Sequence, residues 1–440
     1  MARDPWRRAH PAERAMITRR QLISALDRRS VADWVLIERT RESYGLREAA
    51  RRHRSERHTT WTVIIHHDVP RGRGTARVEV GGLDDSARDV VDRLLSQAAA
   101  TIGPAWRSTP PAAPAKVELI DPQLKTAPLA DVARQLVDTA RKGVGPDAAT
   151  SVASAITVAR DDIAVHARSG FHTTWTASEI QARALVTSAG RSVDVVRSAR
   201  RVADLGLGDA VAMGARDLAL VRDASLATPG RCAVILGAEA MLDGGELGIW
   251  QVFADQASAS LERQGLTRYR LGRPIAPGAG ELTEPLTITS DGSIDFGARS
   301  APVSDDGDAV RRFTLIDRGT ATGLGLSMRE AARRNADPNG GVRNLVVAPG
   351  SWDGVVGARR TIEVRRVRSL LIDRYTADAN LEIALGFDHI DGKQRAITGG
   401  TIRFDVIAAL SRARRSTTKI GRHGYYGPSA ILIEDADLVA

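Results

Sequence analysis

The sequence contains very little cysteine and few aromatic residues. A single cysteine, Cys232, among 440 residues excludes an intramolecular disulfide and a multi-cysteine zinc site. The chain has no run of 18 apolar residues, which excludes a membrane-spanning helix. No apolar segment follows the charged first residues, so we expect no secretory signal and a soluble, cytoplasmic protein. The 43% hydrophobic content excludes wholesale disorder, and the length allows two or three domains.

Lysine is scarce, and the positive charge comes from arginine concentrated near the start of the chain. Residues 1–60 hold 15 arginines and 8 acidic residues, which is +7 of the total net charge of +9. This region could be a patch for nucleic acid or an acidic partner, or a solvated segment from an arginine-biased genome. The second interpretation is favoured because acidic residues interleave with the arginines and no nucleic-acid motif follows. Any nucleic-acid binding should be weak, sequence-indifferent and lost steeply with salt.

Proline and glycine divide the chain into blocks. The segment 103–115, GPAWRSTPPAAPA, and the break at 227–230 mark the boundaries. The sequence predicts a basic tail at 1–12, a first α/β unit at 13–102 and a Pro-rich linker at 103–117. A second α/β unit at 118–226 and a β-rich domain at 230–440 follow. The predicted fold class is α+β, in which two duplicated α/β units precede an antiparallel, barrel-like C-terminal domain.

An exact repeat supports the duplication of the α/β units. The string HTTWT occurs at His58–Thr62 and again at His172–Thr176. We interpret it as a duplicated strand that places Trp61 and Trp175 in equivalent positions. The alternative, that His58 and His172 form a ligand pair, is less favoured. The apolar spacing also predicts a helix opening the second unit over 129–140 and a helix closing it at Val193–Ala203.

The last block predicts one long helix, Leu247–Arg263, followed by short strands separated by Gly- and Asp-containing turns. No strong catalytic signature is present: GxGxxG after a strand, a Walker loop, GxSxG and HExxH are all missing. The adjacent His66 and His67 would point to opposite faces of a strand and could not chelate one ion. The acidic run 305–308 lacks the spacing of a calcium loop, so we expect a polar turn there.

A series of short motifs in the last block resembles the TldD/PmbA family. In order they are PGRCAVIL at 229–236, RLGRPI at 270–275, DDG at 305–307, LIDRG at 315–319, NLVVAPG at 344–350, DGK at 391–393 and PSAILI at 428–433. Each motif is weak alone, and their order over the chain, behind two small α/β units, carries the resemblance. In this family, TldD-type and TldE-type subunits form a heterodimeric zinc peptidase.

Given this resemblance, two motifs that the sequence lacks indicate which type of subunit it is. TldD-type subunits carry HExxxH on the helix that opens the third block and a cysteine ligand near the end of the chain. The matching helix here reads FADQASA at 253–259, without histidine, and 419–427 contains no cysteine. The resemblance therefore implies a TldE-type subunit that has no catalytic, cofactor-binding or metal-ligating residues. The zinc is expected in the partner.

These implications define an expected function. The chain would be the non-catalytic subunit of a heterodimeric zinc metallopeptidase acting on unfolded or precursor (leader) peptides. It would be inactive alone and would form part of the peptide-binding cavity, where strand edges could hold an extended peptide. Specific nucleic-acid binding and membrane binding are not expected. The alternatives are a homodimeric peptide-binding protein, a metal-independent hydrolase diverged from the family, or a nucleic-acid-associated regulator using the Arg-rich N-terminus.

The absence of histidine from the matching helix predicts the metal content of the purified chain. Because the helix at 253–259 offers no histidine, the purified chain alone should hold no stoichiometric zinc. Elemental analysis after dialysis against a chelator checks this. About one retained zinc per chain would contradict the TldE-type assignment.

Overall fold

The computed structural model describes residues 17–29, 31–70, 72–81, 86–108, 113–145, 149–242, 247–282, 284–354 and 360–439. The predicted basic tail at 1–12 lies outside the described residues. So do Leu83 and Asp84, which the sequence places at the start of a helix. Among the residues that are described, no helix is long and apolar enough to cross a membrane.

The first part of the chain builds a helix, three strands and a helix. These are α1 (Arg19–Arg28), β1 (Asp33–Arg47), β2 (Arg52–Val69), β3 (Gly72–Val80) and α2 (Ala87–Ala100). Helix α1 begins with a capping box, in which Thr18 accepts from the backbone N–H of Gln21 and the Gln21 side chain accepts from the Thr18 backbone N–H. Helix α2 begins at the N-cap Ser86.

The second part repeats this order after one short extra helix. It consists of α3 (Pro122–Thr126), α4 (Leu129–Val144), β4 (Thr150–Ala167), β5 (His172–Ser188), β6 (Arg191–Ala199) and α5 (Leu207–Arg222), with a 3-10 turn at Val202–Asp204. The predicted apolar stripe of α4 is confirmed, since Leu129, Val132, Leu136 and Ala140 are all buried. The duplicated helix–three strands–helix order confirms the duplicated α/β units.

The chain forms two compact units that do not coincide with the two repeats. Unit 1 comprises the described residues of Met1–Arg41, Arg57–Pro111 and Asp161–Trp175, and unit 2 those of Glu42–Glu56, Ala112–Arg160 and Thr176–Ala440. Strands β1, β2, β4 and β5 contribute residues to both units. The strand order is β3-β2-β1-β4-β5 in unit 1 and β2-β1-β4-β5-β6 in unit 2. The sequence-based boundaries, which follow the repeats, stay a prediction.

The predicted helix at Val193–Ala203 is wrong. Residues 191–199 form strand β6, which pairs antiparallel with β5, and the closing helix α5 begins only at Leu207. The segment carries β-branched valines at 193, 195 and 196, which favour a strand. Its burial alternates, because Val195 and Arg197 face inward while Asp194 and Val196 are exposed.

The two HTTWT copies lie in equivalent strands but not at equivalent positions. Trp61 of β2 lies opposite Val80, the last residue of β3, whereas Ile180 of β5 lies opposite Ala199, the last residue of β6. Trp61 therefore corresponds to Ile180, and Trp175 lies five residues earlier along its strand. The prediction that Trp61 and Trp175 are equivalent is wrong in register, although both copies occupy the second strand of a repeat.

The C-terminal domain contains a closed ring of five strands. Its strands are β8 (Gly230–Gly237), β13 (Thr361–Ile372), β14 (Asp378–Ile390), β16 (Thr401–Asp405) and β20 (Ala430–Val439). The order is β13-β8-β20-β16-β14, and β14 pairs back to β13, which closes the barrel. All of these pairs are antiparallel except β8 with β13. A long connection separates these two strands, as a parallel pair requires.

A second sheet packs with this ring around the largest hydrophobic core. Its order is β11-β10-β9-β12-β19-β18, formed by β9 (Ile288–Asp291), β10 (Phe313–Asp317), β11 (Thr320–Ala321), β12 (Asn344–Val347), β18 (Lys419–Arg422) and β19 (Tyr425–Pro428). The core includes residues of both sheets, such as Leu236, Ile288, Leu345 and Ile402. The smaller elements are β7 (Ser225–Leu226), β15 (Lys393–Thr398), β17 (Arg414–Arg415), α6 (Ala238–Met241), α9 (Met328–Arg333), α10 (Val406–Arg412) and a 3-10 turn at Ala279–Glu281.

The predicted helix Leu247–Arg263 is broken into three pieces. A 3-10 turn at Gly248–Trp250 leads into α7 (Gln251–Gln256), and α8 (Ala259–Arg263) follows after a break. The break arises because the backbone there bonds to Gly325 instead of continuing the helix. Gly325 N–H donates to Ala257 O at 2.8 Å, and its carbonyl accepts from Ala259 N–H at 3.3 Å.

A testable consequence of the close packing in unit 1 concerns Gly74 of β3. A Cβ at this position would lie 1.8 Å from the carbonyl oxygen of Ala98 in α2, so the helix would have to move. We expect Gly74→Ala to lower the free energy of unfolding by about 1–3 kcal/mol, measured by urea denaturation. Gly237→Ala is the control, because its added Cβ meets nothing within 4 Å. Equal effects of the two changes would contradict this packing.

Candidate functional site

The two segments that the family resemblance matches to the zinc ligands lie together in the structure. The 3-10 turn that leads into α7 meets the β18–β19 hairpin through aromatic rings, with Trp250 stacked on Tyr425 at a centroid distance of 5.3 Å. Phe253 lies 5.9 Å from Trp250, and all three side chains are fully buried. The Tyr425 hydroxyl donates to Pro428 O at 2.9 Å, and burial raises the pKa of this tyrosine. The space between helix and hairpin is therefore filled by a packed aromatic cluster.

A cleft of about 190 Å³ opens beside the same helix. It is lined by Gly248, Gln251, Val252, Asp255, Leu370, Ile372 and Arg374. Gln251 Nε2 donates to Asp255 Oδ1 at 3.0 Å, while Gln251 Oε1 accepts from Arg299 Nη1 at 3.3 Å. The cleft thus combines an apolar wall with one carboxylate, one amide and one guanidinium.

The donors around α7 do not fit the zinc that the family implies. A catalytic zinc site needs three protein ligands, which are mostly imidazole, thiolate and carboxylate. The cleft supplies one carboxylate, Asp255, whose Oδ1 is already hydrogen-bonded to Gln251. Within the described ranges, no group of three or more His, Cys, Asp or Glu residues is placed to hold a metal ion.

The histidines and acids considered in the sequence lie elsewhere. His172 stacks on His166 with ring centroids 4.4 Å apart. Burial, the neighbouring His172 and Arg19 lower the pKa of His166. The acidic run 305–308 forms a turn in which Ser304 Oγ accepts from the backbone N–H of Asp308 at 3.0 Å. Burial, reinforced by Asp306, raises the pKa of Asp308 to about 7.

Sequence reasoning missed a buried cluster of charges in unit 2. Glu239, in the first turn of α6, lies 2.7 Å from Arg197 Nη2 of β6 and 2.7 Å from Arg422 Nη1 of β18. Arg366 of β13 lies 3.5 Å from the other oxygen of Glu239 and bonds Asp217 of α5 at 2.6 Å. Burial alone would raise the pKa of Glu239, but Arg197, Arg422 and Arg366 hold it at about 2. These residues are far apart in sequence, so no spacing motif could reveal the cluster.

His423 adjoins this cluster at the turn between β18 and β19. Its Nδ1 lies 2.9 Å from Ser198 Oγ of β6. Burial, together with Arg422 and Arg197, lowers the pKa of His423 to about 4, against a smaller opposing effect of Glu239. The imidazole is therefore neutral at physiological pH. The cluster and this contact join the second α/β repeat to both sheets of the C-terminal domain.

The cluster predicts a loss of stability in acid. The pKa of His423 is lower in the folded than in the unfolded chain, so acidification from about pH 6.5 to about pH 4 protonates mainly the unfolded chain. The free energy of unfolding should fall in this window by at most about 1.4 kcal/mol per pH unit. His423→Asn should flatten this slope, and asparagine tolerates the positive φ of 55° that residue 423 has. An unchanged slope in the variant would contradict the assignment.

Glu239→Gln tests the carboxylate of the same cluster. The depressed pKa of Glu239 means that its stabilising effect is present above about pH 4.5 and is lost as pH falls towards 2. At pH 7 the substitution removes the counter-charge of the buried Arg197 and of the partly buried Arg366 and Arg422, and it should cost about 3–5 kcal/mol in urea denaturation. The control Glu382→Gln removes a partly exposed pair with Arg368 and should cost less than about 1 kcal/mol.

Comparison with known proteins agrees with this architecture. Residues 229–439 match the family model of the PmbA/TldA metallopeptidase C-terminal domain. The fold is similar to a candidate modulator of DNA gyrase from Thermotoga maritima, with a TM-score of 0.74 and 14% identity over 96% of this chain and 99% of that one. A candidate modulator of DNA gyrase from Bacteroides thetaiotaomicron gives a TM-score of 0.73 and 15% identity over 96% and 98% of the two chains.

A third structure, TldE from Thermococcus kodakarensis, gives a TM-score of 0.70 and 16% identity over 93% of this chain and 96% of that one. No curated protein sequence matches this chain. At these identities the solved structures show a shared fold, and the family model supplies the relationship in the C-terminal domain. The family model therefore assigns residues 229–439 to the TldD/PmbA family, and the solved structures show that the chain shares their fold.

Proposed function

We propose that this chain is the metal-free, TldE-type subunit of a heterodimeric zinc metallopeptidase acting on unfolded or precursor (leader) peptides in the cytoplasm. The observation that carries this proposal is the buried cluster of Trp250, Phe253 and Tyr425. Its residues belong to, or directly precede, the segments 253–259 and 419–427, which the resemblance matches to zinc ligands in TldD-type subunits. The zinc would be bound by the partner, and this chain would hold no cofactor.

Hydrolysis of a peptide at a zinc site needs protein ligands for the zinc, a polarised water molecule and a general base, all held close together. Around α7 this chain offers aromatic rings on one side and the cleft on the other. Its residues would therefore bind and orient the peptide, while the partner supplies the groups that react. This division of roles explains how a chain without the motif could still be required for cleavage.

The cleft is suited to holding part of an extended peptide. Val252, Leu370 and Ile372 provide an apolar wall, and Gln251 and Asp255 provide polar groups beside it. An extended peptide alternates its side chains, so apolar and polar contacts can be made by successive residues. We infer that the cleft forms part of the wall of a peptide-binding cavity.

The neighbouring end of β13 is suited to contact a partner subunit. Leu371 is 67% exposed and Tyr375, in the turn that follows, is 39% exposed. Exposed apolar groups beside a binding cleft are typical of protein interfaces. We propose that the metal-bearing partner covers this end of β13 and closes the cavity.

Reconstitution tests the proposed function. The chain alone should show no peptidase activity, and mixing it with an HExxxH-bearing partner should produce chelator-sensitive cleavage of an unfolded peptide. Size-exclusion chromatography should show a complex of the two chains. Robust, chelator-insensitive cleavage by this chain alone would contradict the proposal and indicate a metal-independent hydrolase.

Two substitutions locate the reacting groups in the mixed complex. Replacing the glutamate of the partner's HExxxH should abolish cleavage. Asp255→Asn in this chain should leave kcat largely intact, because Asp255 would contact peptide but not the reacting atoms. A loss of kcat with Asp255→Asn as large as that with the partner substitution would place a catalytic residue in this chain.

A further inference from the structure

The tip of the β1–β2 hairpin in unit 2 presents four arginines to solvent, three of them unpaired among the described residues. The arginine tip consists of Arg47, Arg51, Arg52 and Arg54, all of them exposed. The Arg54 side chain is 80% exposed and pairs with Glu56. The side chains of Arg47, Arg51 and Arg52 form no hydrogen bond or ion pair with any residue that the structure describes. Most of this charge is thus available to a ligand.

The hairpin places three of these arginines on one face. The turn is closed by Arg51 N–H donating to Glu48 O at 2.9 Å, so Arg47 and Arg52 flank it on opposite strands. Leu46 packs against the core beneath α4, which turns its neighbour Arg47 to the other face. Arg52 and Arg54 alternate with His53 along β2 and share the face of Arg47. Alternate residues of a strand are about 7 Å apart.

The strand that carries Arg52 and Arg54 also has an open edge. β2 pairs with β3 only from Trp61 to Val69. In unit 2, the segment Arg52–Glu56 has β1 on one side, and no described strand pairs with it on the other. An edge of this kind exposes backbone N–H and C=O groups to which an extended chain can be added.

We propose that the arginine tip binds an extended acidic peptide segment by strand addition along Arg52–Glu56. Backbone hydrogen bonds would hold the segment at the edge, and carboxylates at its alternate positions would match the spacing of Arg52 and Arg54. Arginine pairs with carboxylate in a bidentate geometry, which adds specificity to the charge attraction. The proposal concerns this chain alone and does not depend on the proposed peptidase complex.

The charge distribution favours a peptide over nucleic acid. Residues 1–60 carry +7 and the whole chain +9, so residues 61–440 contribute only +2. Nucleic-acid affinity grows with the number of phosphates neutralised, and a tip of a few arginines neutralises few of them. A short acidic peptide carries few charges, so these few arginines are enough to pair with them. Charged residues also protect sheet edges from self-association, and that role alone predicts no binding.

The experiment measures binding of the full-length chain to a short fluorescent peptide of alternating glutamate and threonine, by anisotropy at low salt. The same peptide with N-methylated backbone amides, and a DNA oligonucleotide of equal charge, are the comparison probes. The test variant is Arg47→Glu, Arg52→Glu, Arg54→Glu. Its matched control, Arg216→Glu, Arg273→Glu, Arg318→Glu, makes the same change in net charge at exposed arginines elsewhere. A further, neutral variant, Arg47→Gln, Arg52→Gln, Arg54→Gln, removes the positive charges without adding negative ones, so a loss of binding caused by misfolding of the glutamate variant can be recognised.

We expect the test and neutral variants to weaken peptide binding at least about tenfold and the control less than about twofold. N-methylation should also weaken binding about tenfold, because it removes the backbone donors that strand addition requires. Absence of binding, an equal loss in the control, or undiminished binding of the N-methylated peptide would overturn the proposal. Tighter binding of the oligonucleotide than of the peptide would overturn it in favour of a nucleic-acid surface.

Discussion

The arrangement of unit 2 depends on one partly buried carboxylate. Glu239 follows β8 of the closed ring and contacts arginines from β6 of the second α/β repeat, β13 of the ring and β18 of the second sheet. Strands from three different sheets therefore each place an arginine against the same carboxylate. Without it, Arg197, Arg366 and Arg422 would repel one another in a partly dry environment, where an uncompensated charge is costly. Asp217 of α5 adds a second negative charge to the cluster by pairing with Arg366.

The β18–β19 hairpin links this charge cluster to the region around α7. Arg422 and His423 lie on its polar side, and Tyr425, two residues later, stacks on Trp250 beside the helix. The turn end of the hairpin is thus held by an ion pair on Arg422 and by aromatic packing on Tyr425, which lies opposite Arg422 across the two strands. The side chains of this chain therefore fix the position of the hairpin relative to the turn before α7.

Local patterns in the sequence predicted much of the fold and failed where tertiary contacts override them. The stripe of α4 and the repeated element order follow from apolar periodicity. The valines at 193 and 196 also fit a helical spacing, but pairing with β5 makes residues 191–199 a strand. The break in the helix after Gln256 depends on Gly325, which is remote in sequence and invisible to any local pattern. The five-residue offset between the two HTTWT copies is likewise not visible in the sequence, because it is measured from the pairing of β2 with β3 and of β5 with β6.

The sequence alone indicates little about the site, and the arginines show why. The absence of histidine at 253–259 can be read directly from the sequence, whereas the cleft and the charge cluster join residues far apart along the chain. An arginine-rich composition does not distinguish Arg422, whose charge is balanced by a partly buried carboxylate, from Arg52, whose charge faces solvent on an open strand. The first kind stabilises the fold, and only the second kind is available to a partner. The net charge of a segment therefore indicates function only after the structure shows which charges are already paired.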